Sequence, residues 1–225
     1  MSPNYPLIRL LVAKDWQLFQ KQLAAFVLGG FVALCLLGMA RPWAFYLGSL
    51  LLIVVVVAAA CFSISTSLLV ERKEQTLAFV MSLPVSPLDF TLAKMAGNLL
   101  TFLVPFAVLL AGTLGVIVYT PLPDGLFAYS LLLFGYIGLA YSLSLAVAMH
   151  VESEGWNTFT MIASMVLINP FLMALGQIDA ISSTVGKDAI VFSAPALAIL
   201  AALAALSVIA IVHTVWWHGR KSAFY

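Results

Sequence analysis

The sequence predicts an all-α polytopic membrane protein with six transmembrane helices, preceded by an N-terminal interfacial amphipathic helix. Hydrophobic residues make up 64% of the 225 residues and charged residues 8%, whereas soluble domains contain about 45–50% and about 25%. The apolar residues fall into six runs of roughly the 20 residues that cross a bilayer. Positive residues gather in alternate connections between these runs, as they do in membrane proteins of fixed orientation.

The six runs are apolar on all sides and are separated by short polar segments. Since backbone amides in lipid must be hydrogen-bonded within their own segment, such runs form helices, whereas barrel strands would alternate polar and apolar residues. One membrane domain therefore covers residues 1–225. Its predicted spans are, approximately, 23–40, 43–70, 92–119, 126–149, 156–176 and 189–217.

Residues 5–22 have a different pattern from the spans. Apolar side chains such as Leu11 and Trp16 share one helical face, and polar side chains such as Lys14 share the other, with Asp15 as an exception. This pattern predicts a helix that lies in the cytoplasmic interface. An unstructured basic leader is the alternative. The first long apolar run starts near Leu23 and is too long for a removable leader, so we expect no cleavable signal.

Charge distribution predicts the orientation. Placing both termini and the connections after spans two and four on one side gives that side eight positive residues and the other side two. The eight are Arg9, Lys14, Lys21, Arg72, Lys73, Lys94, Arg220 and Lys221, and the two are Arg41 and Lys187. The positive-inside rule then places both termini in the cytoplasm.

The fifth span contains Asn169-Pro170. Proline removes a helical hydrogen bond, so we expect the span to bend or break there. The external segment that follows is the longest, and a short re-entrant or interfacial element and a plain flexible loop are both compatible with it.

The sequence contains few groups able to perform chemistry. The middle of each span lacks Asp, Glu, Lys and Arg, which argues against an ion-coupled transporter. His213, close to the terminal tryptophans, is interpreted as an interfacial histidine rather than a proton relay. Neither a G-x-S-x-G nor an H-E-x-x-H motif is present. We therefore expect no enzyme activity in this chain.

Metal, cofactor and nucleic-acid sites are not predicted either. The segment from His150 to Glu154 is interpreted as a solvated turn rather than a metal site. Gly186-Lys187 lacks the rest of a phosphate-binding loop, so the chain has no ATP site of its own. Cys35 and Cys61 lie in apolar runs without metal or disulfide spacing. A net charge of +1 gives no indication of nucleic-acid binding.

The connection after span two is the most informative segment. Residues 71–81 form a charged, amphipathic pattern that predicts a cytoplasmic helix, which Pro84 ends. A second helix is predicted to start at Ser86, a good N-cap, with Pro87 at the first helical position and Asp89 facing the free amides of the first turn. Because span three follows these two short, angled helices directly, a displacement of the helices would be transmitted to the span.

This connection resembles that of the permeases of the second ABC-transporter type, which export polysaccharides, drugs, peptides and lipids. The matching residues are Glu71, Glu74, Thr76, Leu77, Leu83, Pro84, Val85, Ser86 and Lys94, whereas Gln75 replaces the usual glycine. The interfacial first helix, the six spans, the short polar loop after span four and the proline-bent fifth span also agree with that family. Only the connection after span two is specific to it.

The resemblance implies a function. Residues 86–90 would be the coupling helix that docks on a separate ATPase subunit, and residues 71–81 would gate the cytoplasmic side. The ATPase-coupling residues would be Glu71, Arg72, Glu74, Leu83, Pro84, Ser86, Pro87, Leu88, Asp89 and Phe90. ATP and Mg²⁺ would be bound by the ATPase dimer. The chain would itself dimerise, most simply with an identical copy, in a bacterial-type inner or cell membrane.

The cargo and two other functions remain open at this stage. Apolar spans favour an amphipathic cargo such as a peptide, lipid or drug, although a polar path lined by Ser63, Ser65, Thr66, Asn98 and Thr101 is an alternative. A non-transporting accessory or immunity protein could share the fold without an ATPase partner. An integral membrane lipid-modifying enzyme would need charged residues clustered at one interface, and only residues 71–74 provide such a cluster.

Overall fold

A computed structural model describes residues 4–69, 87–151 and 153–219 of the chain. Within these ranges the chain is helical and contains no strand. Six of its helical segments are long and apolar enough to cross a membrane. The predicted all-α polytopic fold is thereby confirmed.

The helices follow the predicted order. They are α1 (Tyr5–Gly38), α2 (Pro42–Ile64), α3 (Pro87–Tyr119), α4 (Leu126–His150), α5 (Glu154–Val166), α6 (Ile168–Gly176), α7 (Asp179–Ser182) and α8 (Ala194–Gly219). A π-helical turn, Ser65–Leu69, extends α2. The fifth span is α5 and α6 together, and the sixth is α8, which begins at Ala194 rather than near residue 189.

The first helix differs from the prediction. The expected interfacial helix (5–22) and first span (23–40) form one helix of 34 residues without a break. No glycine or proline lies between Pro6 and Gly29 to interrupt it. The Phe19 and Phe26 rings, on either side of the expected junction, both contact Phe62, with ring centroids 5.8 and 5.4 Å away. At about 1.5 Å per residue the helix is about 51 Å long, which exceeds the roughly 30 Å hydrocarbon core.

The third helix also corrects the prediction. Pro87–Phe90 is not a separate coupling helix, because these residues form the first turn of α3, which continues for 33 residues to Tyr119. The predicted coupling helix was to end at Phe90 and the third span to start near Leu92, but the helix continues through both residues. The proline inside α3, Pro105, lies further along and is buried. The predicted helix at 71–81 and the joint at 83–85 lie outside the described residues.

Close helix packing brings α1, α2 and α3 together. An added Cβ at Gly48 of α2 would lie 2.9 Å from the Ala33 carbonyl oxygen of α1, so only glycine allows this approach. Gly30 of α1 faces the fully buried Leu109 of α3 in the same way. On the other side of α3, the Phe102 ring stacks on Tyr141 of α4 at 3.8 Å between centroids. These contacts fix α3 in the centre of the bundle.

The fifth span is interrupted, as Asn169-Pro170 predicts. The α5 helix ends at Val166, and α6 begins at Ile168 with Pro170 in its first turn. The short helix α7 follows in the segment expected on the external side. Whether this segment is re-entrant remains a prediction.

Candidate functional site

A buried ion pair joins α1 to α3. Lys94 Nζ lies 3.3 Å from Asp15 Oδ2, and the two side chains are 9% and 5% exposed. Gly97, one turn after Lys94, makes room for the carboxylate, because a Cβ there would lie 3.2 Å from Asp15 Oδ2. Asp15, the exception on the apolar face of the predicted amphipathic helix, therefore has a partner on another helix.

Asp89 provides a second attachment between the same helices. Its side chain is 6% exposed, and its Oδ1 accepts a hydrogen bond of 2.8 Å from the Asn4 backbone N–H. The carboxylate thus contacts the N-terminus of α1. The suggested roles of Asp89 at the free amides of its own first turn and in an ATPase contact remain predictions. The first turn of α3 and the start of α1 are held together.

Three hydroxyl and amide side chains join α2 to α3 deeper in the bundle. Ser63 Oγ lies 2.7 Å from Thr101 Oγ1, 3.3 Å from Asn98 Oδ1 and 3.2 Å from the Asn98 carbonyl oxygen. Asn98 Nδ2 donates to the Lys94 carbonyl oxygen at 3.0 Å. All three side chains are at most 4% exposed. The Tyr141 hydroxyl lies beside Ser63 without an ordinary hydrogen bond.

The structure brings together three of the five residues suggested for a polar path. Ser63, Asn98 and Thr101 bond to one another inside one chain. Ser65 and Thr66 lie apart from them in the π-helical turn, where Thr66 Oγ1 donates to the Phe62 carbonyl oxygen at 2.7 Å. A path lined by these residues between two copies of the chain remains a prediction.

Four of the buried polar residues of α3 lie along one helical stripe. Thr91, Lys94, Asn98 and Thr101 are spaced by three, four and three residues, which places them on one side of the helix. Counted over the whole residue, backbone included, each is 7% exposed or less. In low-dielectric surroundings such groups hold their partners strongly. The stripe therefore fixes the orientation of α3 against α1 and α2 over the first four turns.

The suggested coupling residues are only partly described. Glu71, Arg72, Glu74, Leu83, Pro84 and Ser86 lie outside the described residues. The backbone of Pro87, Leu88 and Phe90 belongs to the first turn of α3. Asp89, described above, is the one coupling candidate whose contacts are known.

Aromatic rings cluster at the ends of α4 and α8. The His213 ring lies 5.8 Å from His150 and 6.1 Å from both Trp216 and Trp217, measured between centroids. His150 Nδ1 lies 2.7 Å from the Ala146 carbonyl oxygen. His213 was interpreted from the sequence as an interfacial residue because of these two tryptophans. Among the described residues, no group of three or more His, Cys, Asp and Glu is arranged to hold a metal ion.

A large apolar cavity lies at the opposite ends of the helices. It has a volume of about 570 Å³ and is bordered by α1, α2, α3, α4 and α6. Its walls include Phe45, Leu52, Ile117, Leu133 and Leu172, and none of its lining residues is charged. No pattern in the sequence predicts this cavity, because it is formed by residues from several helices that are distant along the chain.

The ion pair and the polar stripe of α3 are both visible in the sequence, where they were interpreted differently. Asp15 interrupts the apolar face of residues 5–22, and Lys94 lies beside the start of span three. An isolated acid and an isolated base on two apolar helices indicate a pair, since a lone buried charge is costly. The polar stripe is visible as a spacing of three and four residues once the start of α3 is known.

No family model matches the chain, and no curated protein or solved structure is detectably similar to it.

Proposed function

We propose that this chain is the membrane-spanning permease subunit of an ATP-driven ABC exporter. It forms the translocation path as a dimer, most simply with an identical copy, and is coupled to a separate ATPase subunit that binds ATP and Mg²⁺. The proposal is supported by the six apolar spans and by the sequence pattern of residues 71–94. The charge asymmetry supports cytoplasmic termini in a bacterial-type cell membrane.

One observation carries the proposal. The α3 helix begins at Pro87, inside the suggested coupling segment, and continues without a break to Tyr119 at the other end of the bundle. A helix is stiff along its axis, so a displacement of its first turn reaches the membrane. No flexible connection lies between the ATPase-facing end and the third span.

The contacts of α3 extend this displacement to α1. Asp89 binds the backbone of Asn4, and Lys94 pairs with Asp15 one to two turns later. When ATP closes the ATPase dimer, α1 and α3 would move as a unit. By the resemblance to exporter permeases, spans one, two and five would then open a path between two subunits. This chain performs no covalent step in that cycle.

The test separates the two ends of α3. Replacing Leu88 or Phe90 by glutamate should detach the proposed ATPase subunit, because an interface hot spot contributes about 2 kcal/mol or more, which is over tenfold in affinity. The matched control is Tyr119→Glu, at the opposite end of the same helix and 89% exposed. Co-purification of the tagged chain with the ATPase measures the difference.

The variants must also be folded, so thermal stability and expression are measured in parallel. Normal ATPase binding and transport in both Leu88→Glu and Phe90→Glu would show that the first turn of α3 is not the coupling element. Equal loss of ATPase binding in Tyr119→Glu would contradict the assignment of the two ends.

A further inference from the structure

The apolar cavity bordered by α1, α2, α3, α4 and α6 is larger than the voids of a well-packed protein. Protein interiors contain few voids larger than a water molecule, whereas this cavity measures about 570 Å³. That volume is within the roughly 300–1,000 Å³ range of ligand pockets. An occupant is therefore expected.

The chemistry of the walls favours an apolar occupant. None of the lining residues is charged. Six hydroxyls line the cavity. Those of Ser49, Thr113 and Tyr129 donate to backbone oxygens. The rest of the wall is mainly aliphatic and aromatic, and offers ordered water few of the two to four polar partners that it needs. The complementary occupant is hydrocarbon.

The position of the cavity matches one leaflet of a bilayer. Along α2 its walls run from Phe45 to Ile53, and along α4 from Leu126 to Phe134. Both stretches start within a turn of the helix end and extend about 12 Å at 1.5 Å per residue. Half of the hydrocarbon core is about 15 Å deep. The cavity thus lies at the depth of the acyl chains of a single leaflet.

The volume and the access also fit a lipid chain. A cavity of about 570 Å³ that extends about 12 Å along α2 and α4 has room for a hydrocarbon chain. Tyr46, in its wall, is 72% exposed. The cavity is therefore accessible from the surroundings of the chain, which in a membrane are lipid.

We propose that this cavity binds one acyl chain of a bilayer phospholipid, inserted beside α2 from the leaflet at the end of the bundle opposite the start of α3. The headgroup stays outside, at the level of the connections between helices. This site is independent of the proposed transport function, since neither an ATPase nor a dimer contributes to it.

Filling the cavity from opposite walls tests the site. Ser49→Phe on α2 and Ser130→Phe on α4 each place a ring where the acyl chain would lie. Losing two buried methylenes corresponds to about tenfold in affinity, so we expect about tenfold less bound phospholipid in each variant. The matched control is Leu50→Phe, the next residue of α2, which is 61% exposed and does not line the cavity.

The measurement uses the purified full chain, stripped of lipid in detergent and titrated with palmitoyl-oleoyl phosphatidylcholine. Native mass spectrometry counts bound lipid, and thermal unfolding reports the stabilisation that accompanies binding. The native chain and Leu50→Phe should bind one phospholipid and become more heat-resistant. Glycerophosphocholine, the same headgroup without chains, should have no effect.

Phospholipid binding by both filling variants at the level of the native chain would overturn the proposal. Equal stabilisation of the native chain by glycerophosphocholine would also overturn it, because the headgroup would then be the recognised part. This second comparison needs no variant, so it tests whether the acyl chain is the recognised part even where a filled cavity impairs folding.

Discussion

The helices α1 to α4 and the helices α5, α6 and α8 are held in the bundle in different ways. In the most apolar stretch of α2 and of α4, 44% of the residues are buried, whereas the corresponding value is 11% for the α5–α6 span and for α8. The first group contains the ion pair, the Ser63–Asn98–Thr101 cluster and the glycine contacts. In the second group, Ser164 and Ser207 donate to carbonyls of their own helix, and the bonds to α4 are those that Tyr136 and Tyr129 donate to the Ser164 and Leu172 carbonyl oxygens.

This difference follows from the physics of a lipid solvent. Lipid tails are as apolar as leucine side chains, so apolar area alone does not drive helices together, whereas close packing and interhelical hydrogen bonds do. The first group has a buried ion pair and a buried polar cluster between its helices. The second group is attached mainly through α4 and leaves more of its apolar side chains exposed.

The largest effect is expected from breaking the ion pair. Asp15→Leu or Lys94→Met alone leaves a buried charge without its partner, which should lower the free energy of unfolding by about 3–5 kcal/mol. The double variant Asp15→Leu/Lys94→Met should recover most of this loss. Unfolding of the purified chains in detergent measures all three. Additive losses in the double variant would show that the two charges are not coupled.

A leucine-to-alanine substitution should lower the free energy of unfolding more in the first group of helices than in the second. Leu109 of α3 is fully buried against Gly30, and Leu206 of α8 is 51% exposed. Leu109→Ala leaves a cavity and should cost about 2 kcal/mol or more, whereas Leu206→Ala should change stability by less than about 0.5 kcal/mol. Thermal unfolding of both variants under one condition checks this. A comparable loss from Leu206→Ala would indicate that α8 is covered by a second copy.

The smallest effect is expected from removing a serine hydroxyl, and it should depend on whether the serine bonds to another helix or to its own. Ser63→Ala removes the contacts from α2 to α3 and should cost about 0.6 kcal/mol, the average for an interhelical hydrogen bond in a membrane. Ser207→Ala removes only a bond to the Leu203 carbonyl of the same helix, and alanine is the better helix former. We therefore expect no loss there. Identical shifts for both serines would mean that the cluster does not stabilise α3.

The sequence predicted the spans better than their ends. The bounds of α4 and the interruption of the fifth span agree with the expectation because apolar runs and proline act locally. The predicted break near Leu23 was wrong. Apolar residues lie on one face of the helix before this position and on all faces after it, and this change was interpreted as the end of a helix. No residue there opposes helix formation, so α1 continues. In the same way, Pro87 begins α3 itself rather than a separate short helix.

The candidate site was harder to predict because it depends on contacts between distant residues. Asp15 and Lys94 are 79 positions apart, and nothing local to either residue shows that they meet. The members of the Ser63–Asn98–Thr101 cluster were recognised as polar residues within spans, but their direction toward one another depends on the packing of α2 against α3. The apolar cavity depends on helix tilt and so has no counterpart in the sequence pattern.

Pro105 separates two parts of α3 that make different contacts. Its ring nitrogen cannot donate to the carbonyl of Thr101, four residues earlier, so one rung of the helical ladder is missing where the polar stripe ends. The segment before it is clamped to α1 and α2, and the segment after it, from Thr113 to Ile117, forms a wall of the apolar cavity. Pro105 therefore lies between the part of α3 that carries the ion pair and the part that borders the cavity. Under the proposed function, a bend at Pro105 would change the width of the cavity without opening the ion pair.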